Sequence, residues 1–203
     1  DAILTRCGDF ERTYSRFLPS SLIRTIAGKT GVHEVPEELT DMLRIYETLH
    51  RLSGGKCNPL VGLTLRDMGY DETYSLTDKE TIRKPPPFTE TVKVIDDTHI
   101  ELTAPALIDL GAIGKGYLVD RLADLLESGG ITHCLVDGSG DIRFRGPQQL
   151  RAGMEHPDDP AKVIGVTPVT SGAFCGSGSN RRRWRGHHHI IDPDTLQSNE
   201  EIV

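Results

Sequence analysis

The residues best suited to bind a phosphorylated ligand lie between Asp109 and Asp120, where the sequence reads Asp-Leu-Gly-Ala-Ile-Gly-Lys-Gly-Tyr-Leu-Val-Asp. The pattern predicts a short apolar strand, a glycine-rich turn and the start of a helix. Glycines let the backbone approach a ligand closely, and free N–H groups at a helix start favour an anion. Lys115 adds a positive charge there. The same residues also fit an ordinary strand-to-helix turn with a surface lysine, and they lack the spacing of a P-loop.

Two further segments carry groups that could do chemistry. A second glycine-rich turn, Gly138–Ile142, follows an apolar run and could line the same cleft. Three consecutive histidines, His187, His188 and His189, suggest metal ligation. Adjacent residues of a strand point to opposite faces, so at most two of these imidazoles could reach one ion from the same side. A solvated loop or hairpin explains the histidines equally well.

Composition limits the class of protein. The 203 residues are 36% hydrophobic and 5% aromatic, which is enough for one aliphatic core. The formal net charge of −7 argues against a nucleic acid or an anionic membrane surface as main partner, because phosphates repel an acidic face. Four scattered cysteines predict neither a disulfide scaffold nor a zinc site. No stretch approaches the roughly 18 apolar residues of a membrane span, and no leader indicates a compartment.

Hydrophobic periodicity predicts the elements that would position these groups. An apolar residue every three or four positions predicts a helix from Ile3 to Tyr14 and another from Pro36 to Leu52. A third helix is predicted over Gly116–Ser128. The predicted strands are Thr91–Ile95, Thr98–Leu102, Ile131–Val136 and Val163–Val169, the first two as a hairpin. Helices followed by mixed strands and helices indicate a single α+β domain.

Five segments in order resemble the flavin transferase (ApbE) family, over nearly the whole chain. They are Phe10-Glu11 with Tyr14–Phe17 and Pro19–Ser21; Gly54–Gly62; Asp109–Asp120; Gly138–Ile142 with Gly153–Pro157; and Thr170–Gly172 leading to His189–Thr195. The third segment is the most specific. The resemblance implies an α+β fold related to the T-fold, as one ApbE-like domain over residues 1–203 that is incomplete at both ends.

The resemblance also implies an activity, that of an FAD:protein FMN transferase. Such an enzyme binds FAD with Mg²⁺ at the pyrophosphate, moves FMN to a Ser or Thr hydroxyl of an acceptor protein through a phosphoester bond, and releases AMP. A magnesium ion would offset phosphate charge, and an imidazole could accept the hydroxyl proton. Two alternatives share the cleft: a catalytically inactive flavin-binding module, and a magnesium-dependent FAD pyrophosphatase with water as the acceptor.

Family position assigns expected roles to individual residues. His189 matches the catalytic histidine, and the carbonyl of Ala112 matches a metal ligand. The residues expected to contact FAD are Phe17, Lys56, Cys57, Asn58, Asp109, Lys115 and Ile191.

The chain departs from the family pattern at several of these positions. Lys56-Cys57-Asn58 stands where the family usually has a small residue, an aromatic residue and Asp. Ser139 and Leu196 each stand where the family has glycine. The Asp and Thr that complete the family's metal site are expected beyond Val203, and an initial strand with a Met-Gly-Thr turn before Asp1.

Overall fold

The structure, a computed structural model, describes residues 1–179 and 182–199. Its α-helices are α1 (Ala2–Tyr14), α2 (Leu22–Ile26), α3 (Glu37–Leu52), α4 (Gly62–Asp67), α5 (Phe88–Thr91) and α6 (Gly114–Ser128). Its strands are β1 (Gly31–Glu34), β2 (Val92–Val94), β3 (His99–Leu102), β4 (Cys134–Asp137), β5 (Asp141–His156), β6 (Asp159–Cys175), β7 (Arg183–Trp184) and β8 (His187–His188). A short 3₁₀ helix, Pro59–Val61, precedes α4.

The predicted helices form because their apolar faces find a core and their ends are compatible with helix. Pro36 precedes α3, and Glu37 and Glu38 occupy its first turn, where the helix dipole favours acidic side chains. The face that begins at Leu39 is buried as far as Tyr46. The predictions of α1 and α3 are confirmed, and α6 begins at Gly114 rather than Gly116.

The chain divides into two compact units by its internal contacts. The first, here called the helix-rich unit, consists of Gly8–Ile113 and residues 183–199. Its antiparallel sheet has the order β1-β3-β2, with Gly31 and Val92 both opposite Leu102, which confirms the predicted hairpin. The backbone packs closely in this unit, since a Cβ on Gly62 would lie 2.5 Å from the Leu107 carbonyl oxygen.

The second unit, here called the sheet unit, consists of residues 1–7, 114–179 and 182. Helix α6 accompanies an antiparallel sheet of order β4-β5-β6. Strand β4 begins at Cys134, three residues after the predicted start, and β6 is much longer than the predicted Val163–Val169. Pro168 lies within β6, opposite Arg151 in the ladder.

Strand β5 was missed in the sequence. Gly146, Pro147 and Gly153 interrupt the apolar alternation that announces a strand, and its pairing with β6 shifts register between Phe144 and Gln149. The α+β class is nevertheless confirmed. Within the described residues, no helix is both long and apolar enough to cross a bilayer.

Candidate functional site

The turn at Asp109 is held from two sides within the helix-rich unit. The Asp109 carboxylate accepts hydrogen bonds from Arg16 Nε and, at 2.6 Å, from the Gly111 N–H. The Tyr46 hydroxyl donates to the Asp109 carbonyl at 3.0 Å and accepts from the Ala112 N–H at 3.3 Å. A side chain at Gly111 would not fit, because its Cβ would lie 2.7 Å from Asp109 Oδ1. The most specific motif of the sequence is therefore a fixed loop.

These contacts use up the amides of the turn itself. Gly111 and Ala112 donate to Asp109 and Tyr46, and the Ile113 N–H donates to the Leu110 carbonyl at 3.2 Å. The first N–H groups of any helix have no partner within that helix. The anion-binding amides predicted for this motif are therefore to be sought in the first turn of α6.

Arg16 is a site residue that the sequence reasoning missed. Its side chain is only 4% exposed, and Nη1 donates to the Tyr70 carbonyl at 2.7 Å. The guanidinium carbon lies 4.0 Å from the centroid of the Phe17 ring and 4.8 Å from that of Tyr70. A single buried arginine thus joins Asp109 to Phe17, two residues predicted to contact FAD. The signal was its place in the segment Tyr14–Phe17.

Tyr46 is a second site residue that the sequence pattern does not indicate, because its place on the apolar face of α3 is typical of a core residue. Burial raises the pKa of its hydroxyl well above the ordinary value, and the negative charge of Asp109 raises it further. The hydroxyl therefore keeps its proton at neutral pH and can serve both as donor and as acceptor. Its side chain is 1% exposed, so these contacts form out of solvent, where a hydrogen bond is electrostatically stronger than in water.

Lys56 joins two of the predicted segments. Its ammonium lies 2.8 Å from a carboxylate oxygen of Asp192 and 2.8 Å from one of Asp194. Hydrogen bonds from Lys56 lower the pKa of both carboxyls, and the pKa of Lys56 is raised in return. All three side chains are substantially exposed, so the cluster contributes little stability but sets the position of the loop after Ile191.

The polar groups of Asn58 serve the local backbone. Its Oδ1 accepts the Leu60 N–H at 2.8 Å and caps the 3₁₀ helix, while Nδ2 donates to the Pro86 carbonyl at 3.1 Å. Cys57 beside it is half-buried, and burial raises the pKa of its thiol, which stays neutral. The predicted FAD contacts in this segment would thus use the remaining hydrogen-bonding capacity of the Asn58 amide and the Cys57 side chain.

Phe17 and Ile191 meet at one apolar cluster. Both pack against the buried side chains of Leu65, Met68, Tyr70 and Trp184. The indole Nε1 of Trp184 donates to the Met68 carbonyl at 2.7 Å, which fixes the ring without a solvent contact. The first and fifth predicted segments, which are far apart in sequence, therefore contact the same apolar cluster.

The three histidines have three different environments. His187 lies 3.1 Å from Asp78. His188 is 2% exposed; its Nε2 lies 2.6 Å from the Asn199 carbonyl, and its Nδ1 accepts the Ile190 N–H. That pattern fits a neutral ring protonated at Nε2, with a structural role. His189, the predicted catalytic residue, is half-buried directly after β8.

Lys115 belongs to the sheet unit, where it ties α6 to the second glycine-rich turn. Its Nζ donates to the Ser139 carbonyl at 2.9 Å and lies 3.3 Å from an Asp141 carboxylate oxygen. Gly138 lets the helix approach, since a Cβ there would lie 2.7 Å from Val119 Cγ2. Ser139 takes a left-handed conformation, φ 60°, which explains the glycine of the family pattern. The third and fourth predicted segments are therefore in contact.

A cavity of about 450 Å³ in the sheet unit has none of the predicted catalytic, FAD-contacting or metal-binding residues in its lining. Its lining includes His133, Arg143 and Arg145. Arg145 already pairs with Asp124 at 2.5 Å and with Glu127. One of its cations is thus already paired, and the site is better defined by the contacts around Asp109.

The family model of the ApbE family matches residues 1–203. The chain belongs to the ApbE family. An FAD:protein FMN transferase from Treponema pallidum is 29% identical over 173 residues, which cover 70% of this chain and 47% of that protein. One from Klebsiella pneumoniae is 31% identical over 132 residues, 59% of this chain and 40% of its own length. The chain thus spans less than half the length of these relatives.

Solved ApbE structures share the fold. An ApbE protein from Thermotoga maritima superposes with a TM-score of 0.81 at 26% identity, covering 97% of this chain and 69% of the other. The flavin transferase ApbE from Vibrio cholerae gives a TM-score of 0.79 at 21% identity, over 97% of this chain and 67% of its own. The second likeness supports the fold alone.

The described residues do not fit a complete magnesium site. Mg²⁺ takes six oxygen ligands in near-octahedral geometry. Ala112 offers the expected carbonyl, but both carboxylate oxygens of Asp109 already accept hydrogen bonds from Arg16 and Gly111. Across residues 1–179 and 182–199, no group of three or more His, Cys, Asp or Glu side chains is placed to hold a metal ion.

Proposed function

We propose that this ApbE domain transfers FMN from FAD to a Ser or Thr hydroxyl of an acceptor protein. The supporting observation is the match to the family over all residues, together with the convergence of Phe17, Asp109 and Ile191 in one compact unit. The proposal takes its substrate from the names of the relatives, which are FAD:protein FMN transferases.

The proposed reaction exchanges the phosphoanhydride bond of the FAD pyrophosphate for a phosphoester bond to the acceptor. The acceptor hydroxyl oxygen forms a bond to the FMN phosphorus, and the bond from that phosphorus to the bridging oxygen breaks. AMP leaves with the bridging oxygen, and the hydroxyl proton passes to His189 as general base. Positioning the two reactants is the larger part of such catalysis, because phosphoryl transfer needs little covalent help from the protein.

The remaining residues would bind and orient FAD. Phe17 and Ile191 offer apolar surface to the flavin ring, and Lys115 offers positive charge to the pyrophosphate. Lys115 would have to exchange its present contacts with Ser139 and Asp141 for phosphate oxygens. Lys56, Cys57, Asn58 and Asp109 would complete the contacts. Mg²⁺ is proposed at the pyrophosphate with Ala112 as one ligand, and it requires oxygen ligands other than those described.

A second candidate is a flavin-binding module without catalysis. The observation that favours it is the absence of a complete cation site among the residues that the structure describes. Such a module would keep the apolar cluster at Phe17 and Ile191 and the Asp109 turn, because these need no metal. It would bind FAD and release it unchanged. A pyrophosphatase would instead use water as the acceptor and release FMN and AMP.

One experiment separates these functions. The chain is incubated with FAD, Mg²⁺ and a peptide bearing a Ser or Thr, and products are separated by mass spectrometry. Transfer predicts a peptide heavier by the mass of FAD less that of AMP, with an equal amount of AMP; hydrolysis predicts an unaltered peptide with free FMN and AMP. Calorimetry in parallel should show tighter binding of FAD than of FMN or riboflavin. Equal affinity for riboflavin and FAD would contradict the proposed pyrophosphate site.

A further inference from the structure

Tyr74 combines an exposed aromatic ring with an unusual backbone conformation. The residue is 55% exposed. Its backbone has φ 52°, a left-handed conformation that is uncommon and unfavourable for a bulky residue. The ring therefore offers surface to solvent from a backbone conformation that tyrosine rarely adopts.

The loop around Tyr74 is built to keep this conformation. Asp71 Oδ1 accepts hydrogen bonds from the Thr73 N–H at 2.9 Å and the Ser75 N–H at 3.1 Å. Asp71 Oδ2 accepts from the Ser75 hydroxyl at 2.5 Å, and the Tyr74 N–H donates to the Asp71 carbonyl at 3.2 Å. One carboxylate therefore fixes the backbone on both sides of Tyr74.

The Tyr74 ring continues a stack that begins at Phe17. The two rings are nearly parallel, 5° apart, with centroids 5.4 Å from each other. Tyr70 packs edge-on against Tyr74 with a centroid distance of 5.6 Å. Phe17 carries the Arg16 guanidinium over its ring at 4.0 Å. The Tyr74 ring therefore stacks on Phe17 and is the more exposed of the two rings.

We propose that the outward face of Tyr74 is the platform on which the isoalloxazine ring of a flavin stacks. The inference rests on the proposed function, since it assumes that this chain binds a flavin. A fused aromatic ring system is the ligand that fits, because offset stacking on tyrosine needs a flat π face. Ile191, a predicted FAD contact, packs on the same cluster of Tyr70 and Trp184, which places apolar surface beside the stack.

The test compares Tyr74→Ala and Tyr74→Phe with the unaltered chain, using FMN and FAD as probes. Stacking on an electron-rich ring quenches flavin fluorescence, so FMN bound to the unaltered chain should be dim. Tyr74→Ala should raise the Kd for both ligands about three- to tenfold, the scale of one aromatic stacking contact, and bound FMN should become brighter. Tyr74→Phe should bind within about twofold of the unaltered chain.

Leu76→Ala is the matched control, because Leu76 lies in the same loop with φ 50° and has no aromatic ring. It should leave both Kd and quenching unchanged. If Tyr74→Ala binds and quenches as the unaltered chain does, Tyr74 is not the platform, and the proposed function stands. If Leu76→Ala matches Tyr74→Ala, the loop rather than the ring is responsible and the inference fails. If the unaltered chain binds neither FMN nor FAD, both the inference and the proposed function fail.

Discussion

At the scale of single residues, Asp109 organises the turn. Its carboxylate accepts hydrogen bonds from Arg16 and Gly111, and its carbonyl accepts one from Tyr46. A carboxylate oxygen can accept more than one hydrogen bond, so this use leaves room for a further hydrogen bond from a ligand. It does mean that Asp109 shapes the turn whether or not FAD is present. Its partners on other helices are as much part of the site as the motif itself.

Removing the Tyr46 hydroxyl should loosen this turn. Tyr46→Phe keeps the ring but leaves the Asp109 carbonyl and the Ala112 N–H without this partner. We expect a loss of about 1–3 kcal/mol in the free energy of unfolding, which is the cost of leaving a buried donor or acceptor without a hydrogen-bond partner. The Kd for FAD should rise at the same time. Urea denaturation and calorimetry measure the two effects.

Tyr14→Phe is the control for this prediction. Tyr14 is also a buried tyrosine, and its hydroxyl contacts Glu38 at 3.3 Å, away from the turn. It should leave FAD affinity within about twofold, because this hydrogen bond to Glu38 involves none of the residues predicted to contact FAD. An equal loss of FAD affinity in both variants would mean that Tyr46 acts through general stability alone.

The three histidines should separate by function. His189→Ala should reduce FMN transfer about 10²- to 10⁴-fold, the usual contribution of a general acid or base, with FAD affinity changed only a few-fold. His187→Ala should retain transfer, because the His187 ring contacts Asp78 in a partly exposed pair and the Trp184 ring, and neither is a predicted catalytic group. Transfer rates and FAD titrations are measured on each variant. Complete loss of FAD binding in His189→Ala would point to a structural role instead.

His188 is the residue for which the structure changes the expectation. Because the ring is buried and bonded to Asn199 and Ile190, His188→Ala should lower stability rather than the transfer rate per folded molecule. Sequence position could single out His189 by resemblance, but it could not tell His187 from His188. Burial depends on residues 198 and 199, which the motif does not contain.

At the scale of elements, the contact between α6 and the turn after β4 depends on the absence of a side chain. Gly138→Ala would place a Cβ 2.7 Å from Val119 Cγ2 and 3.3 Å from Lys115 Cγ. We expect a loss of about 1–3 kcal/mol, the usual cost of overpacking. Thermal denaturation of the chain measures it.

Gly116→Ala, in helix α6, is the control for Gly138→Ala. A Cβ at Gly116 meets nothing within 4 Å, and alanine favours helix over glycine by up to about 1 kcal/mol. This variant should therefore be slightly more stable than the unaltered chain. Loss of stability at Gly116 equal to that at Gly138 would contradict the packing explanation.

Helix α4 ends at a buried carboxylate that should make stability depend on acid pH. Burial by itself would raise the pKa of Asp67, but hydrogen bonds from Arg83 and Lys79 outweigh it and lower the pKa from 3.8 to about 2. Because the folded pKa lies below the unfolded one, the stabilisation is fully present above about pH 4. It is lost as pH falls through about 2.

Asp67→Asn tests this assignment. The variant should be less stable at neutral pH, and its stability should fall less between pH 4 and 2 than that of the unaltered chain. Asp97→Asn is the comparison, since Asp97 pairs with Arg44 on an exposed surface and exposed pairs contribute little. Parallel acid titrations of Asp67→Asn and the unaltered chain would show that Asp67 is not the group responsible.

At the scale of the whole molecule, hydrophobic periodicity predicted the helices and strands whose apolar pattern lies within a short stretch of sequence. Helices α1 and α3 and the hairpin of β2 and β3 were found because each carries its own apolar pattern. Strand β5 was missed because its stability comes from pairing with β6 over a long ladder, which no local window contains. In the site, the family resemblance indicated Phe17, Asp109 and His189. Arg16 and Tyr46 were not indicated, because their role depends on hydrogen bonds to Asp109, which lies 93 and 63 positions away in sequence.

The last prediction concerns residues 1–203 as a unit, which should bind FAD but transfer FMN slowly. The described residues offer Mg²⁺ the Ala112 carbonyl and no free carboxylate cluster, and one neutral carbonyl with FAD phosphates is a weak cage for an ion that prefers six oxygens. The Kd for FAD should therefore change little on adding Mg²⁺. Calorimetry measures that effect, and an FMN-transfer assay beside the Treponema pallidum transferase measures turnover. Comparable turnover by the two proteins would contradict the prediction, and would mean that an acid such as Asp192 exchanges Lys56 for the metal.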